Sequence, residues 1–226
     1  MADNDGTRYT TRGETDKLSL IEDRLHSCLP VIAIAFRGGA LFATSSTIRG
    51  VRKVRLVHPK GLVFAGTGEV VAIQQIATGL TTGAHLLELR AGHTSVTAEA
   101  VIAQEELDGI LGMMRALFVD SRTRPLIGDF LIAEVDGEQK RTVFHYLSAT
   151  GDRNAHEDFC VLGGNDVVPG IERILKEHAR VSQSRRDAVR LAQRAWEECG
   201  KEGTLELTVV SYQQPQQLQH LSGEEE

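Results

Sequence analysis

Cysteine is scarce in this chain of 226 residues: Cys28, Cys160 and Cys199 are the only three, at long spacings and with no CxxC pair. An odd, scattered set of thiols gives neither a disulfide framework nor a zinc site, and it suits a reducing compartment, the cytoplasm. The eight histidines bring no HExxH or HxH spacing. Each therefore reads as a surface or core residue, and no metal or cofactor is expected. Long hydrophobic runs are missing too; none approaches the roughly 18 residues of a membrane-spanning helix. The opening MADNDGTRYTTRGETDK is polar and carries acids, unlike a signal or transit peptide. A basic stripe is also absent: the formal charge is −6, with Lys and Arg mixed among Asp and Glu, which argues against a nucleic-acid partner. Neither an internal repeat nor a GxGxxG or GxxxxGK[ST] phosphate loop occurs.

What is present has ordinary globular proportions, 41% hydrophobic and 25% charged residues, enough for one domain with a sizeable core. Residues 1–14 lack periodic apolar positions and read as a flexible arm. Thr15 or Asp16 can then cap a helix with Leu18, Ile21 and Leu25 on one face, ended by Pro30. From Val31 the period changes. VIAIAF and ALFATS flank Arg37-Gly38-Gly39 as a hairpin, and KVRLV and LVFAG form a second strand pair around His58-Pro59-Lys60-Gly61.

Two helices follow, over Glu69–Gly92 and Val96–Phe118, the latter with Val101, Leu107, Ile110, Leu111, Met114 and Leu117 at helical spacing. IGDFLIAEVDG, TVFHYLSA and FCVLGG then read as strands, with Asp136-Gly137-Glu138 as a turn. Helices return over Val168–Arg180 and Ser184–Cys199, LELTVVSY is a last strand, and QQPQQLQHLSGEEE reads as a mobile polar tail over 213–226. The order is helix, four strands, two helices, three strands, two helices, strand. It does not alternate as a doubly wound parallel sheet requires. An α+β fold of two packed antiparallel sheets with helix pairs outside them satisfies it better.

Several residues could carry chemistry. Gly66-Thr67-Gly68-Glu69 joins a strand to a helix and could hold an anion on its backbone amides, but the phosphate-loop spacings are missing and tight packing is the simpler reading. Cys160 lies in an apolar run with no base beside it, as a buried structural thiol would. Arg185, Arg186 and Arg190 share a helix with Asp187 and read as a solvated face. Lys53 starts an amphipathic strand between Arg52 and Arg55, where charge can protect an edge strand.

The hairpin VIAIAFRGGALFATS, then RKVRLVHPKGLVFAGTGE, two helices, and LIGDFLIAEVDGEQKRTVFHYLSATGDRNAHEDFCVLGG together resemble proteasome core-particle subunits. The likeness runs from about Thr15 to about Tyr212 and is nearest to the α subunits of the bacterial, actinobacterial-type particle. It implies the four-layer αββα sandwich of the N-terminal-nucleophile hydrolases for residues 15–212. In the catalytic β subunits of that family, a threonine freed at the start of the first strand attacks the substrate, helped by its own amine and a nearby lysine. Alignment through Ala43-Thr44 puts Leu29 at that position and Ser45 where an acidic residue would stand, so the resemblance implies no catalytic residue here.

For the other positions the resemblance implies roles in assembly and gating. Lys53 matches a lysine that, in α subunits, receives the C-terminal carboxylate of an activator or unfoldase. The helix carrying Leu18, Ile21 and Leu25 would make ring contacts, and the arm, with Arg8, Tyr9 and Thr10, would gate an axial pore. Eukaryotic and archaeal arms carry a Tyr-Asp-Arg gating sequence and a YxxEYA-like helix; this chain, like the bacterial α subunits, has neither. The implied partners are identical subunits in a ring of about seven, proteasome β subunits, a ring-shaped AAA ATPase or other activator, and unfolded polypeptides, with no nucleic acid and no membrane. Two alternatives stay open: a hydrolase cleaved ahead of Cys28 so that its thiol becomes the nucleophile, and a self-assembling ring without a catalytic partner.

Overall fold

The computed structural model describes residues 12–45, 52–91, 96–103, 112–113, 115–120, 122, 125, 127–148, 150, 153–200 and 203–221, with side chains from Asp16 onward. Helix α1 (Arg12–His26) leads into strands β1 (Val31–Phe36), β2 (Gly39–Ser45), β3 (Val54–His58) and β4 (Leu62–Gly68). Helices α2 (Val70–Ala91) and α3 (Ala98–Ile102) precede β5 (Gly128–Asp136), β6 (Arg141–Leu147), β7 (Arg153–His156) and β8 (Phe159–Leu162). The chain ends in α4 (Val168–His178), α5 (Arg185–Glu198), β9 (Leu205–Ser211) and β10 (Gln214–Leu221).

The strands form two five-stranded sheets, ordered β10-β9-β2-β1-β8 and β3-β4-β5-β6-β7. Every pairing in them is antiparallel. Because successive side chains point to opposite faces of a strand, β1 divides its residues between two layers. Ile32, Ile34 and Phe36 pack outward with Ile171, Leu175, Ala188 and Trp196 of α4 and α5. Val31, Ala33 and Ala35 pack inward with Val63, Leu131 and Phe144 of the other sheet. The other sheet repeats the division, turning Phe64, Phe130 and Ile132 outward to Ile73, Ile76 and Leu80 of α2. Helices, sheet, sheet and helices thus stack in four layers, as an α+β sandwich.

Turn chemistry fixes the hairpins. Phe36 faces Gly39 across the β1–β2 ladder, leaving Arg37-Gly38 as the loop. Gly39 has φ of 148°, and a Cβ there would lie 2.0 Å from the Val210 carbonyl oxygen, so only glycine fits. At the β5–β6 turn the Asp136 carboxylate accepts from the amides of Glu138 (2.8 Å) and Gln139 (3.0 Å).

Four features differ from the sequence reading. α1 begins at Arg12, a turn ahead of a cap at Thr15 or Asp16. Its Ile21 and Leu25, each 6% exposed, belong to the same core cluster as α2. Leu18 is half-buried. The described beginning of the Val96–Phe118 run is the short helix α3, with its C-cap at Ala103; Leu107, Ile110, Leu111 and Met114 lie outside the described residues. The folded part also continues past Tyr212, because the Gln-rich segment expected to be mobile is β10, paired with β9. Strand β7 is a further addition, short and exposed along its length.

Candidate functional site

At one end of the layer between the sheets lies a cavity of about 440 Å³. β2 and β9 place Thr44, Glu206 and Thr208 on its wall, β10 adds His220, and the approach to β3 adds Arg52 and Lys53. Thr44 has the same parity as the inward-facing Phe42, and Thr208 the same parity as Val210, while Leu207 and Leu221 of the helix-facing layer also border the cavity.

Lys53 is 7% exposed, and its ammonium donates to the backbone carbonyl of Leu29 at 3.2 Å. The Thr67 hydroxyl donates to the same oxygen at 2.9 Å. Lys53 is pinned in turn by its own carbonyl, which accepts from the amide of Gly66. Burial pushes its pKa below the ordinary lysine value, while the nearby Cys28 and Glu206 pull it back upward. An ammonium has three protons, and one of these three is directed at Leu29.

Leu29 itself offers no reactive group. Its side chain packs on the opposite, helix-facing cluster, and a Cβ on Gly203 would come within 2.8 Å of its Cδ1. Just ahead of it, the amides of Ser27 and Cys28 bond to the carbonyls of Arg24 and Leu25 at the end of α1. Cys28 Sγ donates to the Arg24 carbonyl at 3.4 Å. Ser45 is 3% exposed and its hydroxyl has no partner among the described residues. It supplies no charge that could assist a nucleophile.

Arg52 and His220 complete the wall. A guanidinium can only donate, so the 3.1 Å contact from Arg52 makes His220 Nε2 an acceptor and leaves the ring proton on Nδ1. Nδ1 then donates to Thr208 Oγ1, also at 3.1 Å. The cavity therefore presents two cations, Lys53 and Arg52, against one carboxylate, Glu206. Such a lining can hold an anionic group.

The Gly66-Thr67-Gly68-Glu69 segment serves packing and the site together. Gly68, with φ of 119°, has no room for a Cβ beside Ile127 and Gly128, and Thr67 reaches Leu29. Its reading as tight strand-to-helix packing agrees with this geometry. Cys160, 4% exposed, has its thiol pushed up to about 12 by burial, which makes it unreactive. Arg185, Arg186 and Arg190 are exposed on α5. Arg8, Tyr9 and Thr10 lie outside the described residues.

Sequence patterns single out Lys53, with Arg52 beside it, but not Thr67 or His220 as its companions. Thr67 could have been found as the only side chain in a glycine turn able to bond. His220 was hidden in a segment whose composition suggested disorder. No protein-family model matches the chain, and no curated protein matches it. Among the described residues no helix is long and apolar enough to cross a membrane.

Proposed function

We propose that the chain is a non-catalytic α-type subunit of a proteasome core particle, forming an outer ring that admits unfolded polypeptides, docks an ATPase or activator and supports a catalytic β ring. The observation that carries this reading is the environment of Leu29. In a two-sheet sandwich whose relatives by resemblance carry a threonine at this place, this chain has leucine, and its backbone carbonyl accepts from Lys53 and Thr67. Threonine-type catalysis needs a hydroxyl there, and Leu29 has none.

The cavity supports the docking part of the proposal. A C-terminal carboxylate entering it would meet Lys53, which keeps two ammonium protons uncommitted to Leu29, and Arg52 close by. The test is co-expression with a catalytic β subunit. Fluorogenic peptides should be cleaved by the joint assembly and not by the purified chain. Peptide hydrolysis by the chain alone, lost on Lys53→Ala or Cys28→Ala, would overturn the proposal.

A further inference from the structure

Far from Lys53, the outer face of the second sheet is only partly covered by helices. Beside α3 the strands β5, β6 and β7 leave a groove of about 510 Å³, within the range of small-ligand sites. Its charged wall consists of Glu99, Glu134, Asp136, Arg141 and Glu157, with His145 among them. Four carboxylates thus face a single guanidinium, and Arg141 is already paired with Glu157. Glu134 gives one oxygen to the amide of Ala98 at 2.8 Å, at the start of α3, and its other oxygen carries no bond within α3. Asp136 is partly occupied by the amides of its own turn.

An acidic wall alone would be a solvated surface. His145 makes it more than that. The side chain is 9% exposed, faces outward from β6 on the same side as Leu147, and makes no hydrogen bond among the described residues. The only fully buried unpartnered side-chain atom among the described residues is Ser45 Oγ, so the His145 ring opens onto the groove, where a ligand can meet it. Burial holds its pKa below the ordinary histidine value, with Glu134 and Glu99 pulling upward and Arg141 downward. At neutral pH the ring is therefore uncharged and keeps an acceptor nitrogen. A second hollow of about 260 Å³ adjoins the groove through His145 and Glu99, walled by Ile102, Tyr146, Leu147 and Arg153. Aliphatic stems of basic side chains favour such apolar walls.

We propose that this groove binds an organic cation, an alkylammonium or guanidinium group seated on His145 between Glu99 and Glu134 with its stem toward Ile102 and Leu147. A donor-rich cationic head satisfies the carboxylates and the imidazole together, which an anion does not, and among the described residues no three such side chains converge closely enough to hold a metal ion. The site is independent of the role proposed for the Lys53 cavity.

The experiment follows the His145 imidazole resonances by NMR in the full chain, titrated with N-acetyl-arginine amide, an Ala-Arg-Ala peptide, spermidine and the uncharged analogue N-acetyl-citrulline amide. The cationic probes should give a saturable shift and the citrulline analogue none. Glu99→Gln with Glu134→Gln, which keeps an oxygen for the Ala98 amide, should weaken binding about tenfold or more. Tighter binding of the peptide than of the free amide assigns the cation to a polypeptide, and tighter binding of spermidine to a free polyamine. Absence of a saturable shift with every cationic probe, or equal binding of the citrulline analogue, overturns the proposal. So does unchanged affinity in a double variant that keeps the native thermal transition; if that variant fails to fold, the arginine–citrulline comparison decides.

Discussion

Leu29 turns its carbonyl and its side chain to different layers of the sandwich. The oxygen collects the Lys53 ammonium and the Thr67 hydroxyl, while the isobutyl group joins the helix-facing core beside Gly203. Lys53 is consequently held in a desolvated place whose cost appears as a lowered pKa. The sign of its pH dependence follows. The unfolded lysine, titrating near its ordinary value, binds more protons than the folded one through the alkaline window below that value, so folding stability contributed by this group rises with pH there. Measured as the difference in unfolding free energy between the native chain and Lys53→Met, the penalty carried by Lys53 should shrink as pH rises toward 10.5. A difference that is flat or grows would show that the ammonium is not desolvated. The thiols give a second check at this scale. Cys28 is partly exposed, while Cys160 is buried with its thiol raised to about 12. Iodoacetamide at pH 8 should therefore label Cys28 well ahead of Cys160, as read by peptide mass spectrometry.

At the scale of elements, α1 is an internal layer contact before it is anything else. Truncating a buried isoleucine costs about 2–5 kcal/mol, so Ile21→Ala should lower the thermal midpoint of the isolated chain clearly, whereas Leu18→Ala, half-buried, should move it far less. If ring contacts use this helix, Leu18→Ala should weaken assembly without that loss of stability; equal thermal shifts for the two variants would contradict the burial. Which elements were legible follows from their composition. The strands β1 and β4 are continuous apolar runs buried on both faces, and the Gly-Gly and Asp-Gly turns between strands have their own chemistry. β7 reads Arg-Asn-Ala-His and is wholly exposed, so no period-two signal marks it. β10 turns Leu218 against the inner core and Leu221 against the helix-facing one, and two leucines among glutamines resemble a tail. Backbone pairing to β9, which composition does not record, holds it in place.

For the whole molecule, the two sheets could be foreseen from the order of elements, and Lys53 from its place before a strand. What lines the cavity with Lys53 was not legible, because Thr44, Thr208 and His220 come from strands far apart in sequence that only the β10-β9-β2 order brings together. His145 was hidden for the same reason, since its carboxylate neighbours come from α3, β5 and the end of β7. Assembly is the property that the account stakes most on. The proposed function, admitting and positioning a polypeptide, needs copies of this chain and a catalytic ring. Native mass spectrometry of the full chain, purified alone and then with a co-expressed catalytic β subunit, tests this most directly. The account predicts subunits that retain α1 ahead of Leu29, gathered into closed rings of about seven copies that stack on the β ring. A chain cleaved ahead of Cys28, or one that stays monomeric in both preparations, would contradict it.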